Sequence, residues 1–333
     1  MRVMVTGGGG FLGRYVVEQL LERGDDVSSL SRNNYPALEK QGVRCFKGSL
    51  TDFPFVVESF KDHDAVIHVA ARAGFWGKKE LFWPPNVTGT ENTIKACREN
   101  GIRKLVFTSS PSVVFSNDAQ RGADESLPYP SQFESAYPES KAMSEKMVLA
   151  ANGHDLMTCS LRPHLIFGPR DPHLLPKLLS RAASGKLIQV GDGQNRVDLT
   201  YVEDAARAHL LALDQLEPGS PVCGSAYFIS QDEPVNLWNW IGDLLRQLEL
   251  QPVPKKISLT SARFIGGTIE IIYKALSLKG DPRLTRFLAS ELAKDHYYNI
   301  SKAKNELGYQ PEYNMESALE KTIPFLMEFL AHK

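Results

Sequence analysis

Thr6-Gly7-Gly8-Gly9-Gly10-Phe11-Leu12-Gly13 constrains this chain more than any other stretch. Before it, Val3-Met4-Val5 is a short apolar run that reads as a buried strand. After it, Phe11, Leu12, Val16, Val17, Leu20 and Leu21 recur at helical spacing to about Arg23. A strand that turns through glycines into a helix gathers free N–H groups and the positive end of a helix dipole at one point. Glycine lets that backbone approach a pyrophosphate, so the segment reads as a dinucleotide-binding turn. Gly7, Gly10 and Gly13 carry the pattern, with GxxGxxG spacing rather than GxGxxG. A plain tight turn fits the triplet alone; its place after the first strand favours the cofactor reading.

The pattern repeats its rhythm downstream. Apolar, β-rich runs at 3–6, 27–31, 43–47, 65–69, 104–108 and 157–161 alternate with helical patterns such as 89–100 and 140–150. Strands and helices alternating at this pace predict βαβ units, hence an α/β, Rossmann-type doubly wound parallel sheet with helices on both faces. After Arg162-Pro163 the rhythm changes, with prolines at 163, 169, 172 and 176 and irregular, helix-rich elements beyond. We expect a dinucleotide-binding domain over 1–162, with contributions from about 196–230, and a smaller, mainly substrate-binding region over 163–333.

Composition narrows the function classes. The 333 residues are 42% hydrophobic, enough for one large core or two modest ones. A net charge of −1 argues against nucleic acid as a partner. Cys45, Cys97, Cys159 and Cys223 are widely spaced without a CxxC, which reads as reduced packing residues. The first residues lack a basic and then apolar leader pattern, so a cytoplasmic location is expected. A homodimer is the expected assembly.

Tyr137-Pro138-Glu139-Ser140-Lys141 sets a phenol and an amine four residues apart, on one face if helical. A phenol with a solution pKa near ~10 is a poor acid–base catalyst at neutral pH, and bringing it to ~7 takes about 4 kcal/mol of differential interaction. An adjacent ammonium supplies interaction of that kind. YxxxK is common on surface helices. Here it follows Thr108-Ser109-Ser110, which ends the fifth expected strand, and strand ends of open parallel sheets are where ligands bind. A Ser hydroxyl at that place polarises a carbonyl that the Tyr protonates.

With these residues the chain resembles an extended short-chain dehydrogenase/reductase over essentially its whole length, most closely the 3β-hydroxysteroid dehydrogenase-like branch. The matching segments are 6–13, His68-Val69-Ala70-Ala71, Asn86-Val87-Thr88-Gly89-Thr90, Ser109-Ser110, Tyr137 with Lys141, Arg162-Pro163, Gly168-Pro169, Tyr201-Val202-Glu203-Asp204, 300–304 and Leu307-Gly308-Tyr309. The resemblance implies Tyr137 as acid–base catalyst and Lys141 as the residue that lowers its pKa and holds the nicotinamide ribose. It implies Ser110, ahead of Ser109, as hydrogen-bond partner of the reacting oxygen, and Asn86 as support for a water in a proton relay. Cofactor contacts fall on Thr6, Gly7, Gly10, Phe11, Leu12, Gly13, Ser31, Arg32, Ser49, Leu50, Ala70, Ala71, Tyr137, Lys141 and Pro163.

Three positions depart from the family pattern. Pro84 and Pro85 precede Asn86 and are expected to restart a helix there. Pro138 follows the catalytic Tyr, which fits only if Tyr137 starts its helix. Ser49 stands where relatives carry an acid near the adenine.

The end of the second strand reads Val27-Ser28-Ser29-Leu30-Ser31-Arg32. Relatives specific for NAD hold the ribose 2′-hydroxyl with an acid at the Ser31 position. Here no acid is present and Arg32 follows. A guanidinium on a 2′-phosphate contributes roughly 1.5–3 kcal/mol, so NADP(H) is the expected cofactor.

The histidines His68, His164 and His173 lack metal-ligand spacing, and no metal is expected. His164 follows Arg162-Pro163 and is a candidate for substrate contact, as are Phe75 and Trp76 in the loop after the fourth strand. In the apolar 264–278 segment Ile265, Ile269, Ile272 and Leu276 form one stripe, opposite Arg263, Glu270, Lys274 and Ser277. That segment fits a core-facing helix, a lid over an apolar substrate, or a contact with a membrane surface or pathway enzyme; it is too short to span a bilayer. The sum is an NADP(H)-dependent oxidoreductase that interconverts a ketone and a secondary alcohol on an apolar substrate. In this it is similar to the bacterial reductases of 2-alkyl-3-oxoalkanoates and to steroid dehydrogenases. A nucleotide-sugar epimerase or dehydratase, for whose diphosphate Arg170, Arg196 and Lys177 are available, is an alternative. So is a non-catalytic NADP-sensing protein.

Overall fold

The computed structural model describes residues 1–116, 118–278 and 280–332. Its centre is a seven-stranded sheet of β1 (Arg2–Thr6), β2 (Asp26–Ser31), β3 (Arg44–Lys47), β4 (Ala65–His68), β5 (Lys104–Thr108), β6 (Met157–Pro163) and β7 (Ser225–Ile229). The strands lie in the order β3-β2-β1-β4-β5-β6-β7, and every neighbouring pair is parallel. Val3, Val5, Ala65, Ile67, Leu105 and Val106 are fully buried, as strands covered on both faces require. All six expected strands are present, and the seventh comes from within the 196–230 stretch. The order reverses between β1 and β4, which opens a crevice at the carboxyl ends of the strands.

Helices cover the sheet with the faces their sequences present. The helix Phe11–Glu22 buries Leu12, Val16, Val17 and Leu20 and packs against the helix Val202–Gln215. Beyond β6 the chain is helix-rich, with the helices Leu174–Ala183, Leu237–Gln247, Leu259–Ala275 and Met315–Ala331. A four-stranded sheet there joins Val235–Asn236, Arg196–Val197, His296–Tyr298 and Gln120–Ala123 in that order, so a mid-chain segment pairs with one near the C-terminus. All four cysteines are free. Among the described residues no helix is long and apolar enough to cross a membrane.

The helix Leu259–Ala275 does not take the core-facing arrangement, one of the readings its sequence leaves open. Its stripe of Ile265, Ile272 and Leu276 faces outward, and Glu270 is buried. The reason is local. Ala262, Gly266 and Glu270 form the buried side, and a Cβ on Gly266 would lie 2.8 Å from the Thr285 carbonyl carbon. The Glu270 carboxylate accepts from the Arg286 backbone N–H at 2.7 Å and from its Nε at 2.9 Å. Small residues and an ion pair dock this helix, and its apolar stripe is left over.

Candidate active site

The turn after β1 is built for close approach. Gly7 has φ of +73°, and a Cβ there would sit 2.9 Å from the Ala70 Cα. A Cβ on Gly13 would meet the Gly7 carbonyl oxygen at 2.1 Å, so a larger residue cannot replace either glycine without moving the backbone. Gly10 donates to the Gly7 carbonyl at 2.9 Å and caps the helix Phe11–Glu22 without a side chain. The first N–H groups of that helix are therefore left for an anion. Leu12 is buried, and the Phe11 ring stands edge-on to Tyr15 at 6.1 Å. This cradle fits a dinucleotide pyrophosphate.

The neighbouring strand ends extend the cradle. Ser31 closes β2 with a buried hydroxyl that has no hydrogen-bond partner, and Arg32 beside it is exposed. Ser49 Oγ lies 2.8 Å from Thr51 Oγ1 and accepts the Thr51 N–H. Leu50 is buried, and its carbonyl accepts from Asn92 Nδ2 at 2.8 Å. Pro163 ends β6, paired with Ile229.

A buried chain of hydrogen bonds ties β1 to Asn86. Ala70 N–H donates to Thr6 Oγ1 at 3.3 Å, and Thr6 Oγ1 lies 2.6 Å from His68 Nδ1. His68 Nε2 lies 3.0 Å from Thr90 Oγ1, which donates to the Asn86 carbonyl at 2.5 Å. Thr90 has one proton and gives it to Asn86, so His68 Nε2 carries the ring proton and Nδ1 accepts from Thr6. Burial, with Lys141 as second cause, pushes the imidazole down to about 3 and keeps it neutral. Ala71 lies beyond this chain, exposed.

Pro84 and Pro85 do not restart a helix as expected. The helix Lys79–Trp83 runs through a π-turn, Pro84–Thr88, into the helix Gly89–Glu99, with helical φ and ψ at Trp83, Pro84, Thr88 and Gly89. The wider turn accommodates prolines that lack an N–H. It also sets Asn86 inward, where Oδ1 accepts from Arg72 N–H at 2.7 Å. Asn86 Nδ2 donates to the Arg72 carbonyl at 3.1 Å and to Ser140 Oγ at 2.9 Å. Asn86 thus pins the loop after β4 to the helix that carries Tyr137.

That helix is Ala136–Ala150, with Ser135 at its N-cap position, so Tyr137 and Pro138 lie in its first turn and Pro138 removes no helical bond. Burial pushes the Tyr137 phenol up to about 12, and the Ser110 hydroxyl opposes that rise. Ser110 Oγ accepts from Ser112 N–H at 3.2 Å and lies at the start of the 3-10 turn Pro111–Val113. Ser109 is buried and faces Glu145 instead. Lys141 is buried one turn after Tyr137. Its Nζ donates to the Thr108 carbonyl at 2.5 Å and sits 4.0 Å from the centre of the Phe107 ring. Burial pushes this amine down to about 7, while the charge of Glu145 pulls it upward. Glu145 in turn receives Arg162 Nη2 at 2.7 Å, Tyr129 OH at 2.8 Å and Ser160 Oγ at 2.8 Å.

Aromatic rings join segments that are distant in sequence. Phe82 lies 6.3 Å from the Tyr137 ring, beneath the loop that holds Phe75 and Trp76. Phe75 contacts Phe287 at 5.9 Å, Phe287 contacts Phe115 at 5.5 Å, and Phe115 contacts His296 at 6.4 Å. His296 stacks on His164 at 4.8 Å. Phe75 and His164, far apart in sequence, therefore share one wall. Trp76 turns away from it, edge-on to Tyr273 at 6.2 Å. His164, His296 and Glu291 bring ligand atoms within 4.8 Å of one another, a cluster that sequence spacing does not reveal. His164 Nε2 meets His296 Nδ1 at 2.9 Å, and His296 Nε2 meets the Glu291 carbonyl at 2.7 Å, so hydrogen bonding accounts for these three ring nitrogens.

Sequence reasoning missed Phe82, Phe115, Glu145, Phe287 and His296. Glu145 alone had a local signal, four residues after Lys141 on the same helix face. The residues set aside for a diphosphate are engaged elsewhere. Arg170 holds Glu18 through two 2.7 Å contacts, Arg196 donates to the Pro234 carbonyl at 3.0 Å, and Lys177 faces Asp281 at 3.5 Å.

Comparison with known proteins agrees with this frame. The profile of the 3-beta hydroxysteroid dehydrogenase/isomerase family matches residues 4–260. A 2-alkyl-3-oxoalkanoate reductase from Stenotrophomonas maltophilia is 43% identical over 96% of this chain and 98% of its own. A decarboxylating sterol-4-alpha-carboxylate 3-dehydrogenase from Mus musculus is 35% identical over 96% of this chain and 89% of its own. Among solved structures, the UDP-glucose 4-epimerase of Thermus thermophilus in complex with NAD superimposes with a TM-score of 0.74, at 26% identity and 98% coverage of both chains. A sheet wound around a β1 glycine turn, with Ser110, Tyr137 and Lys141 at its carboxyl edge, is thus matched along nearly the whole sequence by dehydrogenases and reductases, and the chain belongs to the 3-beta hydroxysteroid dehydrogenase/isomerase family of oxidoreductases.

Proposed function

We propose that this enzyme interconverts the ketone and secondary alcohol of a 2-alkyl-3-oxoalkanoate-like substrate, with NADP(H) as its redox partner. The carrying observation is the Tyr137 phenol beside the Ser110 hydroxyl, with Phe82 6.3 Å from the Tyr137 ring under the loop that carries Phe75. The names of the bacterial and mouse relatives share a carboxylate and an oxygen function at carbon 3 on an apolar body. Ring walls suit that body better than a nucleotide sugar, and the tethered Arg170 and Arg196 speak against the epimerase reading.

In this reading the Gly7–Gly13 turn and the first N–H groups of the following helix would hold NADPH, which would supply hydride chemistry. Tyr137 gives its proton to the carbonyl oxygen, and Ser110 hydrogen-bonds the same oxygen and orients it. In the structure burial pushes the phenol up to about 12, opposite to the lowering expected from Lys141, so it holds its proton at neutral pH and releasing it to the carbonyl oxygen depends on the opposing pull of the Ser110 hydroxyl. Lys141, its amine held at the Thr108 carbonyl one helical turn after Tyr137, would supply positive charge when protonated, and Asn86 keeps the loop and the catalytic helix in register. The 2′-phosphate would meet the exposed Arg32, beside the buried, unpartnered Ser31 hydroxyl.

The test is NADPH consumption with 3-oxo acids of rising chain length. Each methylene buried on the wall contributes ~0.8 kcal/mol, so two carbons raise kcat/KM roughly tenfold until the wall ends. A flat series, together with turnover of a nucleotide sugar, overturns the assignment.

A further inference from the structure

The outward side of the helix Leu259–Ala275 is largely apolar, with the exposed Lys274 at its edge. Phe264 is 77% exposed, Ile271 69% and Leu276 66%, with Ile265, Ile272 and, just past the helix, Leu278 also open. The charged residues of this helix lie elsewhere on it. Arg263 reaches Glu134 and Ser290, Glu270 is buried against Arg286, and Lys274 lies 5.8 Å from the Trp76 ring. A soluble helix normally shows the reverse arrangement, and contiguous exposed apolar surface marks an interaction site.

The surrounding charge identifies the partner. Residues 251–290 carry seven Lys or Arg (255, 256, 263, 274, 279, 283 and 286) against Glu270 and Asp281, a net +5 in a chain whose total is −1. Glu270 is neutralised by Arg286, and Lys255, Lys256 and Arg283 are exposed beside the helix. An apolar helix face rimmed by cations suits the interface of an anionic bilayer, where apolar groups enter the acyl boundary and cations meet headgroups. A second copy of this chain would bring the same positive rim against itself, which opposes a symmetric pair. Trp76 against Tyr273 connects the helix to the loop over Phe82 and Tyr137, so the face adjoins the substrate approach.

We propose that the 259–275 helix docks this enzyme on anionic membrane surfaces, lying in the interface with Phe264, Ile271 and Leu276 inserted. That an apolar substrate enters from the lipid at this point rests on the proposed function; the docking itself does not.

The experiment is co-sedimentation of the full chain with phosphatidylcholine vesicles, with and without phosphatidylglycerol. Binding is expected to the anionic vesicles and to weaken as salt screens the rim. Phe264→Asp with Ile271→Asp should lower the partition at least ~tenfold, since two inserted side chains become charged. Lys255→Glu with Lys256→Glu should lower it on anionic vesicles by about fivefold for each lysine removed. All four positions are exposed, so circular dichroism and turnover of a short, water-soluble 3-oxo acid should match the parent chain. Failure of the parent on that soluble substrate would count against the catalytic reading alone. Absence of vesicle binding overturns the docking proposal. So does a parent dimer in sedimentation velocity that the Asp pair converts to monomer while vesicle binding is unchanged.

Discussion

Two helices of similar apolar periodicity end in opposite situations. In Phe11–Glu22 the stripe of Leu12, Val16, Val17 and Leu20 lies against the sheet and the Val202–Gln215 helix, nearly all of it inaccessible. In Leu259–Ala275 the stripe of Ile265, Ile272 and Leu276 faces away from the protein, and the helix is held by Gly266 and the Glu270–Arg286 pair. Periodicity shows that a face exists. Which way that face points depends on what the neighbouring chain offers, and small residues with a buried Glu270 paired to Arg286 outcompeted isoleucines here.

The same contrast separates the sheet half, to which the proposed chemistry is assigned, from the C-terminal half, and the largest expected effect tests it. Tyr137→Phe removes one hydroxyl and little packing, so turnover should fall by two to four decades while NADPH still binds. Stopped-flow turnover with fluorescence titration of NADPH checks both. Near-normal turnover would mean that the ordered sheet edge is scaffold and that the chemistry lies elsewhere, for example at His164 and His296.

Much of the sheet half was legible because its signals are local. The glycine turn lies within eight residues, each strand is one apolar run, and Tyr137 and Lys141 are one helical turn apart. The π-turn at Pro84–Thr88 was less legible, because proline was read as a break where a wider turn absorbs it. The aromatic wall was hidden for a different reason. Phe75, Phe115, His164, Phe287 and His296 meet only through long-range packing, and no spacing within the sequence encodes that. Phe75 and His164 were found through their neighbours in motifs, while Phe287 and His296 had none.

The next effect bears on the two helices directly. Leu20→Ala opens a cavity under the sheet and should cost about 2–5 kcal/mol of unfolding free energy. Ile271→Ala removes a side chain that is 69% exposed and should stay within about 0.5 kcal/mol of the parent. Urea unfolding of both variants measures the gap, with unchanged m-values required for the comparison. If Ile271→Ala were as costly as Leu20→Ala, the outward stripe would be packed in solution, most simply against another copy of the chain.

The smallest effect concerns an exposed residue whose surroundings point to a ligand, in contrast to the exposed isoleucines. Arg32 stands at the end of β2 next to the unpartnered Ser31 hydroxyl, with no carboxylate at either position. A guanidinium that meets a 2′-phosphate contributes about 1.5–3 kcal/mol, so the parent should prefer NADPH over NADH by roughly ten- to a hundred-fold. Arg32→Ala should remove most of that preference by weakening NADPH and leave NADH affinity nearly as it was, because the adenosine 2′-hydroxyl gives Arg32 no charge to meet. Restoring an acid through Ser31→Asp should tilt the balance toward NADH, by repelling the 2′-phosphate and accepting from the ribose hydroxyl. Titration of both cofactors into the three proteins separates these outcomes. Equal affinities in the parent would place Arg32 in solvent and leave the cofactor's identity to residues farther along the cradle.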